Sequence, residues 1–344
     1  MRVLSGIQPT GSIHIGNYLG AIKQWVELQE KEDCIFFIAD LHSLTAPYKP
    51  TELQKNILEA AIAYLALGID PQKSIFFVQS DIKEHTELCW LLNTICPLGE
   101  LERMTQFKEK SKQFSPSGRS PEGRKKDINA GLLTYPVLQA ADILLYKTDA
   151  VPVGKDQVQH VELTRTIARK FNQKFGKLFP EPKALLPKFG AKIMALNNPK
   201  KKMSKSLGPQ SYISVFEQPE EIEKKIMSAV TDTGKQIKYN QKRKPGISNL
   251  LIIYSLFSGK SIKELEKEFK DKGYAQFKKS LAELLIKSLE PFQRKRKEFL
   301  ARKIYVEETL KLGAKRAQSI AESTLSEARQ KMGLNYSNNN PSQN

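Results

Sequence analysis

Val3-Leu4-Ser5-Gly6-Ile7-Gln8-Pro9-Thr10-Gly11-Ser12-Ile13-His14-Ile15-Gly16-Asn17 is the stretch on which the fold turns. Its apolar start around Val3 and Leu4 reads as a short buried strand. The Gly, Pro, Thr and Ser residues read as a loop, and the residues beyond it as a helix carrying Tyr18, Leu19, Ile22, Trp25, Val26 and Leu28. Such a unit presents unpaired N–H groups at the start of its helix, where a phosphate can bind. Gly11 and Gly16 let backbone come close to such a ligand, and His14 and Asn17 can donate hydrogen bonds to its oxygens without carrying a fixed charge. Taken alone, the segment is equally readable as an ordinary turn followed by a surface histidine.

The same rhythm continues outward. Cys34-Ile35-Phe36-Phe37-Ile38-Ala39-Asp40 is too short for a typical helix and suits a strand buried on both faces of a parallel sheet, with Asp40 to His42 at the sheet edge. A helix expected from Thr51 to Leu67, ended by Gly68, precedes the next apolar run, Ser74-Ile75-Phe76-Phe77-Val78-Gln79. This alternation predicts an α/β fold, a doubly wound parallel-sheet (Rossmann-like) nucleotide-binding domain. Leu132 to Tyr146 is apolar at helical spacing, broken by Pro136, with the acid Asp142 inside it, and a further helix is expected to begin near Val158. Ser115 to Asp127 is rich in Ser, Pro, Gly, Arg and Lys and reads as an exposed loop. From Ser211 the pattern becomes amphipathic and helical, as in Leu281, Leu284, Leu285, Leu289 and Phe292, with no convincing strand. The expected organisation is a catalytic domain over 1–208, an all-helical C-terminal domain over 209–334, and a disordered tail over 335–344.

Composition narrows the partners. The chain has 344 residues, 40% of them hydrophobic, and a net charge of +18, which favours a polyanion such as nucleic acid. A lysine-rich surface gives the same charge with no polyanion bound, so charge supports this reading without deciding it. Residues 211–344 contain 26 Lys+Arg against 16 Asp+Glu, a denser excess than in the rest of the chain. Cys34, Cys89 and Cys96 are odd in number and lack ligand spacing, which argues against a disulfide framework and a structural zinc site. The N-terminus has no long apolar run, so neither a signal peptide nor a membrane span is expected and the cytoplasm is the default location.

A second motif, Lys202-Met203-Ser204-Lys205-Ser206, lies between Asn198-Pro199 and Gly208 and reads as a loop. Two lysines there can close over a triphosphate and stabilise the charge that builds on departing pyrophosphate. By itself the tract is also readable as a solvated lysine run. Together, and in this order, the two motifs resemble the signatures of class I aminoacyl-tRNA synthetases. The resemblance sharpens to the bacterial tryptophanyl-tRNA synthetase family through Gly99 to Lys108 (GELERMTQFK), Leu133-Thr134-Tyr135-Pro136, Ala140 to Tyr146 (AADILLY), Val153-Gly154-Lys155-Asp156-Gln157 and Lys244 to Leu251 (KPGISNLL). It covers nearly the whole chain, apart from Ser115 to Asp127 and the tail.

The resemblance implies activation of L-tryptophan by Mg2+-bound ATP to an adenylate plus pyrophosphate, then transfer of the aminoacyl group to tRNA(Trp) by a homodimer. Gln8, Pro9, Thr10, Gly16 and Asn17 would contact ATP, with Gly154, Lys155 and Asp156 at the ribose and Ile193 flanking adenine. Lys202, Met203, Ser204, Lys205 and Ser206 would form the closing loop, and His14, Asn17, Lys202 and Lys205 would act in catalysis. Asp142 would accept the indole N–H, while Tyr135 and Gln157 would bind the amino group. The helical half would read the anticodon, with Arg294, Lys295, Arg296 and Lys297 as phosphate contacts. No resident metal is expected. Each site residue keeps a plainer reading: Asp142 as a capping or ion-paired acid, Asp156 as a loop acid, Tyr135 as a core aromatic. His42, His85 and His160 read as structural. Two features depart from the family: Gln139 stands where an apolar residue is expected beside the indole, and the basic stretch 115–127 is longer than usual, which suggests contact with tRNA backbone. The rival readings are a tyrosyl-tRNA synthetase, a nucleotidylyltransferase and a non-enzymatic RNA-binding protein.

Overall fold

The structure, a computed structural model, describes residues 1–9, 11, 13–114, 129–186, 193–234 and 236–334. The stretch 115–127, the tail 335–344 and Thr10 lie outside the described residues. Five parallel strands form one sheet: β1 Arg2–Ile7, β2 Asp33–Ile38, β3 Ser74–Val78, β4 Ala150–Pro152 and β5 Lys183–Leu185. Their order is β3-β2-β1-β4-β5. β1 and β2 run in step from Arg2↔Asp33 to Ile7↔Ile38, whereas β1 and β4 share a single pair, Val3↔Ala150. Chain order reverses between β1 and β4. In an open α/β sheet the crevice at the carboxyl ends of such a reversal is where ligands bind.

Strand periodicity divides the core in two. Val3, Cys34, Phe36, Ile38 and Phe76 face one side, where Trp25 stacks on Phe36 with ring centroids 5.0 Å apart; Leu4, Ile35, Phe37 and Phe77 face the other. The first side is covered by the helices Lys23–Leu28 and Pro50–Ala66, and its apolar contacts continue into Ile226, Leu251, Phe277 and Leu285 of the helical half. The second is covered by the helices Ala130–Leu145 and Val158–Phe175. Strands β4 and β5 have only three residues each, too short to leave a readable apolar run. No strand follows Leu185 among the described residues.

The helix Ala130–Leu145 corrects one expectation, since Pro136 does not break it. An interior proline costs about 3 kcal/mol through a lost hydrogen bond and a clash with the preceding turn. Here that cost is offset by burying Leu132, Val137, Ala140, Ala141, Ile143, Leu144 and Leu145, and the Asn129 side chain caps the helix by accepting from the Leu132 N–H at 2.8 Å. The helical segment after the opening turn is likewise less uniform than its sequence suggests. It runs as a turn Ile15–Asn17, a wider π-helical turn Tyr18–Ile22 and an α-helix Lys23–Leu28.

The last helix, Lys303–Lys331, returns to pack against β3 and covers that edge of the sheet. Val306 and Leu310 join the first core, Ala317, Ala321 and Leu325 the second. The approach is so close that a side chain at Gly313 would put its Cβ 1.9 Å from the Phe76 carbonyl oxygen. Gly313→Ala should therefore destabilise the fold by about 1–3 kcal/mol, as overpacking against rigid backbone does, measured as a lower midpoint in denaturant unfolding; an unchanged midpoint would contradict this packing.

Candidate active site

The two motifs, distant in sequence, meet on one surface. The Ile15 N–H donates to the Ile213 carbonyl at 3.0 Å, and the Val215 N–H to the Ile13 carbonyl at 2.9 Å. These bonds join the opening turn to the segment just past the lysine loop, and the rings of His14 and Tyr212 lie 5.9 Å apart. Met203 is buried, donates its N–H to the Ile193 carbonyl at 2.9 Å, and sits 3.6 Å from where a Cβ on Gly16 would stand. Gly11 has φ +69°, and a Cβ there would lie 3.4 Å from Lys205 Nζ. Glycine is required at that turn for its left-handed backbone and keeps the approach to the ammonium open.

His14 and Asn17 hold each other in a reciprocal cap. The Asn17 N–H donates to His14 Nδ1 at 3.2 Å, and the His14 N–H to Asn17 Oδ1 at 3.2 Å. Nδ1 is thus an acceptor, which leaves Nε2 as the ring's N–H donor. Burial, followed by the charges of Lys205 and Lys202, pushes the His14 ring down to about 4. Burial also lowers the Lys205 ammonium. A neutral donor beside two lysines is a combination suited to phosphate oxygens.

β4 delivers the companion residues to the same edge. Gly154 follows it, and a side chain there would meet Asp156 Oδ1 at 2.7 Å. Lys155 and Asp156 are exposed, and Gln157 is half-buried with its Nε2 donating to Asp156 Oδ2 at 3.2 Å. Gln8 and Pro9 leave the end of β1 beside them, with Pro9 buried. Ile193 is buried under Met203, Ser204 is tied to Ser206 by a 2.9 Å hydroxyl contact, and Lys202 is exposed.

Asp142 lies in a second cluster at the carboxyl ends of β2 and β3. Its carboxylate is 1% exposed and accepts three donors: Gln79 Nε2 on Oδ1 at 2.7 Å, His85 Nδ1 on Oδ1 at 2.7 Å, and His42 Nε2 on Oδ2 at 2.8 Å. Burial pushes this carboxyl up, but hydrogen bonds from His42 and His85 outweigh it and hold the group at about 2. The acid is therefore no helix cap, and its burial does not need a ligand to be tolerated. With about four acceptor positions on a carboxylate, three are taken. His42 also packs edge-on to Tyr135 at 6.3 Å, and the Tyr135 hydroxyl reaches His160 Nε2 at 2.9 Å and donates to Gln106 Oε1 at 3.1 Å. Tyr135, half-buried Gln139 and Asp142 share one stripe of their helix through i+4 and i+3 spacing.

Sequence reasoning treated His42 and His85 as structural and passed over Gln79; all three prove to donate to the Asp142 carboxylate, and the bonds from His42 and His85 hold it ionised. Spacing gave no sign of it, because the helix Asp40–Ser43 after β2, the turn Gln79–Asp81 after β3 and the helix Glu84–Asn93 supply them separately. One usable signal was present: a polar residue directly after each apolar strand run. Among the described residues no group of three or more His, Cys, Asp or Glu is placed to hold a metal ion.

The His14 value fixes a stability trend. A ring whose folded pKa, about 4, lies below its unfolded 6.5 takes up a proton more readily when unfolded. Its contribution to stability is present above pH 6.5 and is lost as pH falls from there toward 4. Denaturant midpoints should fall across that window, and His14→Asn, which keeps a capping side chain, should flatten the fall.

Against known proteins, residues 1–290 match the family tRNA synthetases class I (W and Y). The tryptophan–tRNA ligase of Caldanaerobacter subterraneus subsp. tengcongensis is 50% identical over 97% of this chain and 98% of its own length. That of Bacillus subtilis is 46% identical over 96% and 97%. Among solved structures, the tryptophanyl-tRNA synthetase of Mycoplasma pneumoniae superposes with a TM-score of 0.86 at 39% identity, covering 97% of both chains. The Campylobacter jejuni enzyme, complexed with ADP and tryptophan, gives 0.81 at 40% identity over 97% of this chain and all of that one. With the family matched over residues 1–290 and these relatives aligned along nearly their whole length, the chain belongs to the class I tRNA synthetases of the tryptophan and tyrosine group.

Proposed function

We infer that the chain is a tryptophan–tRNA ligase, and that the convergence of Lys205 on the Gly11 to His14 turn carries the mechanism. Tryptophan's carboxylate attacks the α-phosphorus of ATP and pyrophosphate leaves; a hydroxyl of the 3′-terminal ribose of tRNA then attacks the acyl carbon of the adenylate, forming the ester and releasing AMP. The nucleophile is already ionised at neutral pH, so the first step needs no protein base. Positioning and charge stabilisation remain, and alignment of the two substrates supplies about 7–11 kcal/mol. In this reading His14 Nε2 and the Asn17 amide donate to phosphate oxygens, and Lys202 and Lys205 stabilise the departing pyrophosphate. Gln8, Pro9, Gly16 and the 203–206 loop line the triphosphate, Gly154 to Asp156 the ribose, and Ile193 the adenine. Thr10 would join them. Mg2+ arrives with ATP as part of the substrate.

Tryptophan would lie beside the Tyr135, Gln139, Asp142 stripe, with its indole N–H on the remaining acceptor position of Asp142 Oδ2 and its amino group near Tyr135 and Gln157. A site that pairs a substrate N–H rejects analogues lacking it by factors of about 10⁴ or more. The expected divisions 1–208 and 209–334 are retained as the catalytic and tRNA-reading parts. Arg294, Lys295 and Lys297 are exposed on the helix Tyr274–Ala301, with the Arg296 guanidinium 5.1 Å from the Phe216 ring. No helix among the described residues is long and apolar enough to cross a membrane, and a cytoplasmic location fits an enzyme acting on tRNA. Homodimer formation is supported by Trp90, 69% exposed on the helix Glu84–Asn93. Aromatic anchors of this kind are enriched in interface centres.

Pyrophosphate exchange with tryptophan and tyrosine in parallel tests the activity: exchange should depend on tryptophan, and tyrosine dependence would overturn the assignment. Asp142→Ala should lower kcat/KM for tryptophan about 10- to 100-fold, the worth of a hydrogen bond to a buried charge, while circular dichroism stays native; full activity would remove Asp142 from the indole site. Trp90→Glu should shift sedimentation toward the monomer if that face joins two copies.

A further inference from the structure

We propose that Tyr146, acting through His85, fixes the direction in which the Asp142 carboxylate is presented, which makes both of them positioning residues for tryptophan selection. The proposal rests on the reading that Asp142 accepts the indole N–H. The chain of contacts is short and buried: the Tyr146 hydroxyl lies 2.8 Å from His85 Nε2, and His85 Nδ1 lies 2.7 Å from Asp142 Oδ1. Tyr146 and His85 are both 0% exposed. Neither has been needed for any step of the reaction.

A carboxylate has no proton to give, so His85 Nδ1 must carry one in order to bond it. Imidazole has two ring nitrogens, and which of them holds the proton is set by the partner of the other. In a neutral His85 ring the Tyr146 hydroxyl, 2.8 Å away, donates to Nε2 and so keeps the proton on Nδ1. Burial pushes the Tyr146 hydroxyl up, so it stays protonated and able to donate. Its ring is wedged against those of His85 and Phe77, with centroids 5.5 and 6.0 Å away, which holds the hydroxyl in place. Without that hydroxyl, Nε2 is a buried acceptor lacking a donor. The ring can relieve this by moving its proton to Nε2, which turns a lone pair toward Oδ1. Only Gln79 then holds Oδ1, with His42 still on Oδ2, and the carboxylate loses one of the three bonds that fix the direction in which Oδ2 meets the indole.

Steady-state pyrophosphate exchange on the full-length enzyme distinguishes positioning from mere packing. Tyr146→Phe should raise the KM for tryptophan about tenfold, the effect of one orphaned buried hydrogen bond, and leave kcat and the KM for ATP within about twofold. His85→Asn keeps an N–H donor at the Nδ1 position and has no tautomer to choose, so its tryptophan KM should stay near that of the parent. His85→Leu, which removes the donor, should raise it. In the His85→Asn background, Tyr146→Phe should add nothing. An unchanged tryptophan KM in a natively folded Tyr146→Phe overturns the proposal. Should that variant fail to fold, equal KM values for His85→Asn and His85→Leu overturn it instead. Asp142→Asn separates the two layers: if it leaves the tryptophan KM unchanged, the indole reading itself fails, whereas if it raises KM while the His85 and Tyr146 variants do not, only the present proposal fails.

Discussion

Two backbone hydrogen bonds, Ile15 N–H to the Ile213 carbonyl and Val215 N–H to the Ile13 carbonyl, hold together everything that this site requires. They fasten the segment after the lysine loop to the turn after β1, across some two hundred residues of chain. Closure of so long a loop is entropically costly, and it is offset here by a continuous apolar core that runs from the sheet into the helical half. The lysine ammonium groups are delivered to the start of a helix as a result. Without that attachment each motif would be an ordinary surface loop.

Charge is then arranged without acid–base chemistry. Burial and the neighbouring lysines keep His14 neutral, so it offers a hydrogen bond and no competing charge. Lys205 is lowered by burial at the same place, which makes a phosphate oxygen a favourable neighbour for its ammonium. A reaction whose nucleophile is already a carboxylate needs only this kind of environment.

The Asp142 cluster solves a different problem. A carboxylate in an apolar interior is tolerated only when hydrogen-bonded, and three N–H donors, from the helix after β2, the turn after β3 and the helix Glu84–Asn93, supply the bonds. The acid is stable before any substrate arrives. Three of its roughly four acceptor positions are taken in this way, and the proposed role of Asp142 in selecting the substrate rests on the one left over.

Much of this was legible in the chain itself. Short apolar runs ending in polar residues announced a parallel sheet, because strands buried on both faces cannot alternate, and the glycines of the opening turn marked where backbone must approach a ligand. Gly11 takes a left-handed backbone in the opening turn, and Asp142 is buried within the apolar helix that the sequence marked around it. Other features were invisible: β4 and β5 are too short to leave a pattern, Pro136 signalled a break that packing overrides, and Gln79, His42 and His85 lie far apart in sequence. The sequence by itself determined the local elements and the identity of the reactive groups, since these depend on neighbours along the chain. Only the tertiary structure decided which groups face each other, how Asp142 is kept ionised and which donors hold it, because long-range packing and desolvation act between residues that no sequence spacing relates.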